Sequence, residues 1–425
     1  MIATEGLEYY RDVMERCIRC SLCKWIPQIQ IKSQKFASVC PSIEEYGFHN
    51  YSGGGRLITA LALLSKKIPY NAKLAEVVYT CTECGGCDVS CKNLNDLEPL
   101  EVIQELREHL VKIGHGPLSN QKKFVENALK VHNPYGESHE ERMRWLPKDA
   151  KLTKGAEIGY FAGCTSSYRR TELASATVRV LNKIGVEFNV LGTEEFCCGS
   201  PIYRVGELEK AKGLMEENVK KVQSAGIKTL VTSCAGCYAM FKAEYPKVLK
   251  MELPFKVLHV SELLENLLKE GKVKFTKKVP MTVTYHDPCH LGRGSEPYPK
   301  WEGKIVEVMP LIKMPLPPKP KRQGTYGCYE APRNVLQQIP GIRLTEMERT
   351  REFAYCCGAG GGVKAQFPEF ALNTSKRRIE EARSTKAGAL VSCCPFCKTN
   401  LQDGLAAIRS DMKFYDLIEL VEMAL

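Results

Sequence analysis

The sequence predicts a mixed α+β and α/β protein, in which a helical, cysteine-rich N-terminal module precedes two related α/β lobes with parallel-sheet character. Three observations lead there. Two C-x2-C-x2-C runs fall within the first 91 residues. Beyond residue 150, short apolar runs such as "TLVTS" and "ALVS" follow long amphipathic stretches such as "ELEKAKGLMEENVKKVQSAG". Strand and helix alternating in this way build parallel sheets. Finally, "EFCCGSP" and "AYCCGAGGG" mark a unit that occurs twice. The expected boundaries are 1–115 for the module, 116–155 for a helical connection, 156–275 for the first lobe and 276–425 for the second. A Pro/Lys-rich insertion at 295–325 interrupts the second lobe.

At 425 residues the chain has room for two or three cores, and its 44% apolar share is ordinary for a globular protein. No apolar run approaches the roughly 18–20 residues that span a bilayer. "LITALALL" is followed by two lysines and reads as a buried helix. The start, "MIATEGLEYYRDVMERC", carries acids where a secretory signal needs a basic start and an apolar stretch. These features place the chain in the cytoplasm, free or peripheral to a membrane complex. The net charge of +11 would suit an anionic partner. However, the cations are scattered, and bound iron–sulfur clusters would offset them, so nucleic acid is excluded. Twenty cysteines in an unsignalled chain point to metal rather than disulfides.

In the first module, "CIRCSLC" supplies Cys17, Cys20 and Cys23, with Cys40 and Pro41 beyond; "CTECGGC" supplies Cys81, Cys84 and Cys87, with Cys91 beyond. Two-residue gaps let successive thiolates curl round one iron cube while loop N–H groups face its sulfides. Zinc knuckles also use C-x2-C, but zinc has no preference for triplets. The pattern resembles two-cluster ferredoxins, in which the fourth cysteine of each run ligates the other cluster. The resemblance implies two cubane [4Fe-4S] clusters, one on Cys17, Cys20, Cys23 and Cys91 and one on Cys81, Cys84, Cys87 and Cys40. Lys92, not proline, follows Cys91. The forty residues between the runs have helical periodicity, and "GGGR" (53–56) reads as a turn, lacking the lysine and hydroxyl of a phosphate loop.

The duplicated unit is then read copy against copy. The first runs from "EIGYFAGC", ending at Cys164, through Cys197 and Cys198 to Cys234 and Cys237. The second runs from "VTYHDPC", ending at Cys289, through Cys356 and Cys357 to Cys394 and Cys397. From the vicinal pair to the closing C-x2-C is 36 positions in one copy (198 to 234) and 37 in the other (357 to 394). The tails "HVSELLENLL" and "FYDLIELVEM" also correspond. Ligands would sit at the carboxyl ends of strands, where such sheets place their sites. Cys328 and Cys393 stand outside the pattern and read as spare thiols.

C…CCG…CxxC in duplicate, preceded by the two-cluster module, resembles the heterodisulfide reductase D-subunit family over nearly the full length. The resemblance implies five thiolates per late site and one or two noncubane [4Fe-4S] clusters, with zinc possible at one CCG site. The glycines after each pair would allow close approach to cluster sulfides. A redox disulfide at the vicinal pairs and a nucleotide at "GAGGGV" are the weaker alternatives; the latter lacks a preceding strand and the third glycine.

In function the resemblance implies an oxidoreductase whose iron–sulfur subunit relays electrons within a multi-subunit complex. Its partners would be a flavoprotein, another iron–sulfur protein or a membrane cytochrome. The alternative is catalysis in its own right: reduction of a small-thiol heterodisulfide held between two noncubane clusters, each taking one sulfur and supplying one electron. Proton delivery would fall to His290 beside Cys289, with His286 nearby. The insertion is expected to be extended and polyproline-like near its end, either a surface loop or a docking arm.

Overall fold

The computed structural model describes residues 6–425 except 96, 310, 311, 319, 321 and 323. The first five residues of the acid-bearing start, and part of the polyproline-like end of the insertion, therefore lie outside the described residues.

The N-terminal module is a set of helices, chiefly Gly53–Leu64, Ala72–Tyr79, Gly86–Asn95 and Pro99–Lys112, joined by short turns. One expectation fails here. "GGGR" is not a turn but the first turn of the helix Gly53–Leu64, capped by Ser52, whose Oγ accepts from Gly55 N at 3.0 Å. The glycines are needed because a Cβ at Gly55 would lie 2.0 Å from the His49 carbonyl oxygen, and one at Gly53 would lie 2.9 Å from Cys87 Cβ. Arg56, the next residue, is buried and donates to the carbonyls of Val77 (2.8 Å) and Tyr51, locking neighbouring turns to this helix.

The two lobes share one topology. Strands β1 (Ile158–Phe161), β2 (Asn189–Val190), β3 (Thr229–Thr232) and β4 (Lys256–His259) form a parallel sheet in the order β2-β1-β3-β4. Strand β5 (Met281–Tyr285) begins the second lobe. After the insertion, β8 (Ile342–Leu344), β9 (Ala389–Ser392) and β10 (Lys413–Asp416) complete a parallel sheet of the same order, β8-β5-β9-β10. The central strands β3 and β9 are apolar and buried, as parallel sheets covered on both faces require.

The last helix of each lobe starts from a matching capping box, His259/Glu262 and Asp416/Glu419. Burial pushes the Asp416 carboxyl up to about 8. The folded state thus holds this proton more tightly than the unfolded chain, so stability falls as pH rises from about 4 to about 8. Asp416→Asn keeps a good cap and is neutral throughout, and it should flatten that part of a melting-temperature profile against pH.

The insertion departs from expectation. It contains an antiparallel hairpin, β6 (Lys304–Met309) with β7 (Ile312–Leu316), and its base is pinned to the body. Tyr298 Oη donates to Glu101 at 2.7 Å, and Arg322 Nη2 donates to the Gly294 carbonyl at 3.0 Å while its guanidinium stacks on Tyr298.

A single cation joins all three bodies. Arg107, fully buried on Pro99–Lys112, donates to the carbonyls of Cys81 (2.6 Å), Arg204 (2.6 Å) and Gly361 (2.9 Å). The glycines at 360 and 361 serve this junction. A Cβ at Gly360 would lie 2.5 Å from the Thr82 carbonyl oxygen, and one at Gly361 would lie 2.6 Å from that of Cys81.

Candidate metal centres

The early cysteines gather on either side of the glycine-rich helix start. Gly54 N donates to Cys23 Sγ at 3.2 Å, and the Cys17 and Cys23 sulfurs lie 3.4 and 3.5 Å from where a Gly54 Cβ would stand. Cys23 is within electrostatic reach of Cys17 and Cys20. Cys91 is buried on Gly86–Asn95, a helix that packs against the turn Leu22–Lys24. On the other side, Cys87 Sγ meets Gly53, and the thiols of Cys40, Cys81, Cys84 and Cys87 influence one another. The structure thus brings Cys40 to Cys81, Cys84 and Cys87, and adjacent glycines separate this group from Cys17 and Cys23.

Each late lobe converges five sulfurs at the carboxyl ends of its strands. Cys164 follows β1, Cys289 follows β5, and Cys234 and Cys394 stand at the N-caps of the helices that follow β3 and β9. In the first lobe Cys164 donates to Cys197, Cys197 to Cys198, and Cys237 to both Cys198 and Cys234. In the second, Cys356 contacts Cys289 and donates to Cys357, and Cys397 donates to Cys357 and Cys394. Two further contacts join the sets: Cys394 with Cys234 across the lobes, and Cys356 with Cys84 of the early module. A string of sulfur contacts therefore runs from Cys84 through the second lobe to Cys164.

Within each vicinal pair the second cysteine accepts from two neighbours and is the readier thiolate. Hydrogen bonds from Cys197 and Cys237 bring Cys198 down to about 6. Those from Cys356 and Cys397, with His286, depress Cys357 well below an ordinary thiol. Thiolate is the metal-binding form. Five soft donors, no carboxylate among them, fit an iron–sulfur group at each site. The leftover cysteines lie off this string: Cys328 faces Ser261 Oγ at 3.9 Å, and Cys393 sits beside Tyr285.

Between the lobes lies a cavity of about 680 Å³ lined by nine of the ten late cysteines, with Arg169, Arg170 and Lys364 also on its wall. His290 lines it too; its Nε2 faces the Glu83 carbonyl oxygen at 3.4 Å, and burial depresses it to about 4, so the ring is neutral.

The histidine set against the thiols is His286. Its Nδ1 accepts from Arg378 Nε at 3.1 Å, which leaves the proton on Nε2, and Nε2 has no nitrogen or oxygen partner. The His286, Cys357 and Cys397 ligand-type atoms all lie within 4.8 Å of one another. Phe161 stands at the corresponding place before Cys164, so only the second lobe has this donor. The first lobe instead aims a guanidinium at sulfur: Arg142 Nη2 lies 3.7 Å from Cys164 Sγ and 2.6 Å from Glu195 Oε1. The copy-to-copy difference His286/Phe161 was a sequence signal for this asymmetry. His286→Phe should lower the midpoint potential of an iron–sulfur group in the second lobe, about tenfold in the one-electron constant or ~59 mV, read by redox titration. His286→Gln should recover part of that.

Comparison with known proteins agrees with this arrangement. Residues 13–95 match the 4Fe-4S dicluster domain family, and residues 158–242 and 321–402 match the cysteine-rich domain family. The D subunit of the dihydromethanophenazine:CoB–CoM heterodisulfide reductase of Methanosarcina mazei is 38% identical over 418 residues, covering 97% of this chain and 94% of that one. The B subunit of the fumarate reductase (CoM/CoB) of Methanothermobacter marburgensis is 31% identical, covering 98% and 74%. Among solved structures, a hypothetical protein from Helicobacter pylori superposes with a TM-score of 0.54 at 12% identity, covering 100% of this chain and 73% of that chain, a likeness of fold alone. Among the described residues no helix is long and apolar enough to cross a membrane. The chain belongs to the heterodisulfide reductase D-subunit family, as an iron–sulfur oxidoreductase component that transfers electrons.

Proposed function

We propose that the chain is a four-centre relay within a cytoplasmic redox complex, where its partners are other redox subunits. Cys17, Cys20, Cys23 and Cys91 would hold one cubane [4Fe-4S] cluster, and Cys40, Cys81, Cys84 and Cys87 a second. The sets Cys164, Cys197, Cys198, Cys234, Cys237 and Cys289, Cys356, Cys357, Cys394, Cys397 would each hold a noncubane [4Fe-4S] cluster. When bound, these clusters supply one-electron steps. The observation that carries the reading is the string of sulfur contacts from Cys84 to Cys356, and from Cys394 to Cys234. It supports the order early module, second lobe, first lobe. Anaerobically isolated protein should contain about sixteen irons per chain, four per centre. About eight irons, with zinc or no metal in the lobes, would remove the late centres from the relay.

The cavity between the lobes favours a second reading, reduction of a small-thiol heterodisulfide at the end of the relay. Arg169, Arg170 and Lys364 would bind an anionic substituent on the disulfide. His290 stands on the same wall as a neutral ring, which could pass a proton from cavity water to a departing thiolate but would not store one. Reduced viologen with carboxylated or sulfonated disulfides separates the readings: turnover establishes the reductase, and none leaves the relay alone.

A further inference from the structure

From Arg16 to Pro41 the chain carries five cations and not one carboxylate. Arg16 is paired with Asp12 and Lys35 with Glu380. Among the described residues, no carboxylate pairs with Arg19, Lys24 or Lys32. The same segment shows large apolar side chains to solvent: Ile18 is 72% exposed and Ile29 93%, with Trp25 also exposed. Phe48, 63% exposed, joins them from the neighbouring turn. Ser52 Oγ donates to the His49 carbonyl there at 2.7 Å, which holds the turn against the helix start that Cys23 touches. The same segment carries Cys20, the one exposed cysteine of the early sets; Cys23, three residues on, is buried.

Each part of this face has a physical consequence. Isoleucine, tryptophan and phenylalanine on short turns, rather than on an amphipathic helix, suit a protein surface better than a lipid one. Unpaired cations with no carboxylate between them attract an acidic partner and speed its approach. An exposed thiol in a candidate cluster set is where an electron can cross, because transfer slows steeply with distance. A lipid cover there would insulate the centre.

We infer that the face formed by Ile18, Arg19, Lys24, Ile29, Lys32 and Phe48 around Cys20 docks an acidic redox protein, which exchanges electrons with the chain through the first early centre. This rests on the proposed relay, in which Cys17, Cys20, Cys23 and Cys91 hold a cluster. One electron leaves the partner's reduced centre and enters that cluster, with no bond made or broken.

The test uses the full-length, metal-loaded protein in stopped flow. It is reduced by an acidic two-cluster ferredoxin in one series and by reduced methyl viologen, small and cationic, in another. With ferredoxin the rate should fall about tenfold or more between low and high salt, and the Arg19→Glu/Lys24→Glu pair should lose about as much at low salt. Viologen rates should not fall in either case, because salt and charge reversal only relieve the repulsion of a cationic reductant. Ferredoxin rates indifferent to salt and to charge reversal would overturn the docking face. A wild-type chain whose early clusters viologen cannot reduce would overturn the relay itself, a separate failure. If the double variant loses iron, Lys32→Glu and Ile29→Ser, which flank no ligand, take its place with the same expectation. Sedimentation of the wild type, but not the variants, with phosphatidylglycerol vesicles, together with unchanged ferredoxin rates, would assign the face to lipid instead.

Discussion

Glu381→Ala should destabilise the second lobe by about 3–5 kcal/mol, lowering its melting transition by roughly 10 °C. The carboxylate is fully buried between two buried guanidiniums. Its Oε2 accepts from Arg378 Nη1 at 2.5 Å and from Arg349 Nε at 2.9 Å, while Oε1 accepts from Arg349 N at 2.7 Å. Burial alone would raise its pKa, but Arg378 and then Arg349 override burial and hold it below the ordinary carboxylate range. The wild-type contribution is therefore present above about pH 4.5 and lost as pH falls below it. Removing the carboxylate strands two cations in a dry interior, which costs more than the pair itself was worth. The damage should spread in two directions. Arg349 Nη1 donates to the Ser38 carbonyl at 2.7 Å, tying the lobe to the early module, and Arg378 holds His286 toward Cys357. Thermal unfolding followed by circular dichroism, with iron content measured on the same sample, reads both. Glu381→Gln, which keeps the shape and half of the hydrogen bonds, should fall between the two.

That chain, Glu381–Arg378–His286–Cys357, shows what a single sequence hides. Cysteine spacing is local: a C-x2-C loop needs few residues to define it, so the eighteen patterned cysteines stood out in the sequence, as did the duplicated strands before them. That the two lobes share one topology followed from the repeat, because both copies must solve the same packing problem, whereas the strand order itself was not legible. Contacts that join the bodies were not legible. Arg107 meets Gly361 across 254 positions, and nothing near either residue announces the other. The glycines misled for the same reason. Gly53–Gly55 resemble a turn until two cysteine loops are seen closing on them, and nothing near Gly360 and Gly361 announces that the Cys81–Thr82 backbone packs against them. The insertion hairpin was obscured by its prolines, which suggest an extended chain but are tolerated in a two-stranded sheet with open edges. His286 faces Cys357 and His290 the Glu83 carbonyl, a difference of side-chain direction that spacing does not carry.

Cys357→Ala should abolish the second late centre while sparing the early ones, with about four fewer irons per chain. Cys357 is the point at which the second lobe's sulfurs meet: it accepts from Cys356 and Cys397 and faces His286. Alanine removes that acceptor and leaves the surrounding donors without a partner in a buried pocket. The equivalent change in the first lobe, Cys198→Ala, should also lose about four irons. Only Cys357→Ala interrupts the string between Cys84 and the first lobe, so the two variants differ in electron flow rather than in metal content. With Cys198→Ala, electrons supplied to the early module should still reach the second lobe. With Cys357→Ala they should stop at the early module, seen as a first-lobe signal that stays oxidised during rapid-freeze reduction. Cys393→Ser, one residue from Cys394 but off the sulfur string, is the control and should retain full iron. Equal electron flow to the first lobe in the Cys357 and Cys393 variants would place the second lobe outside the relay.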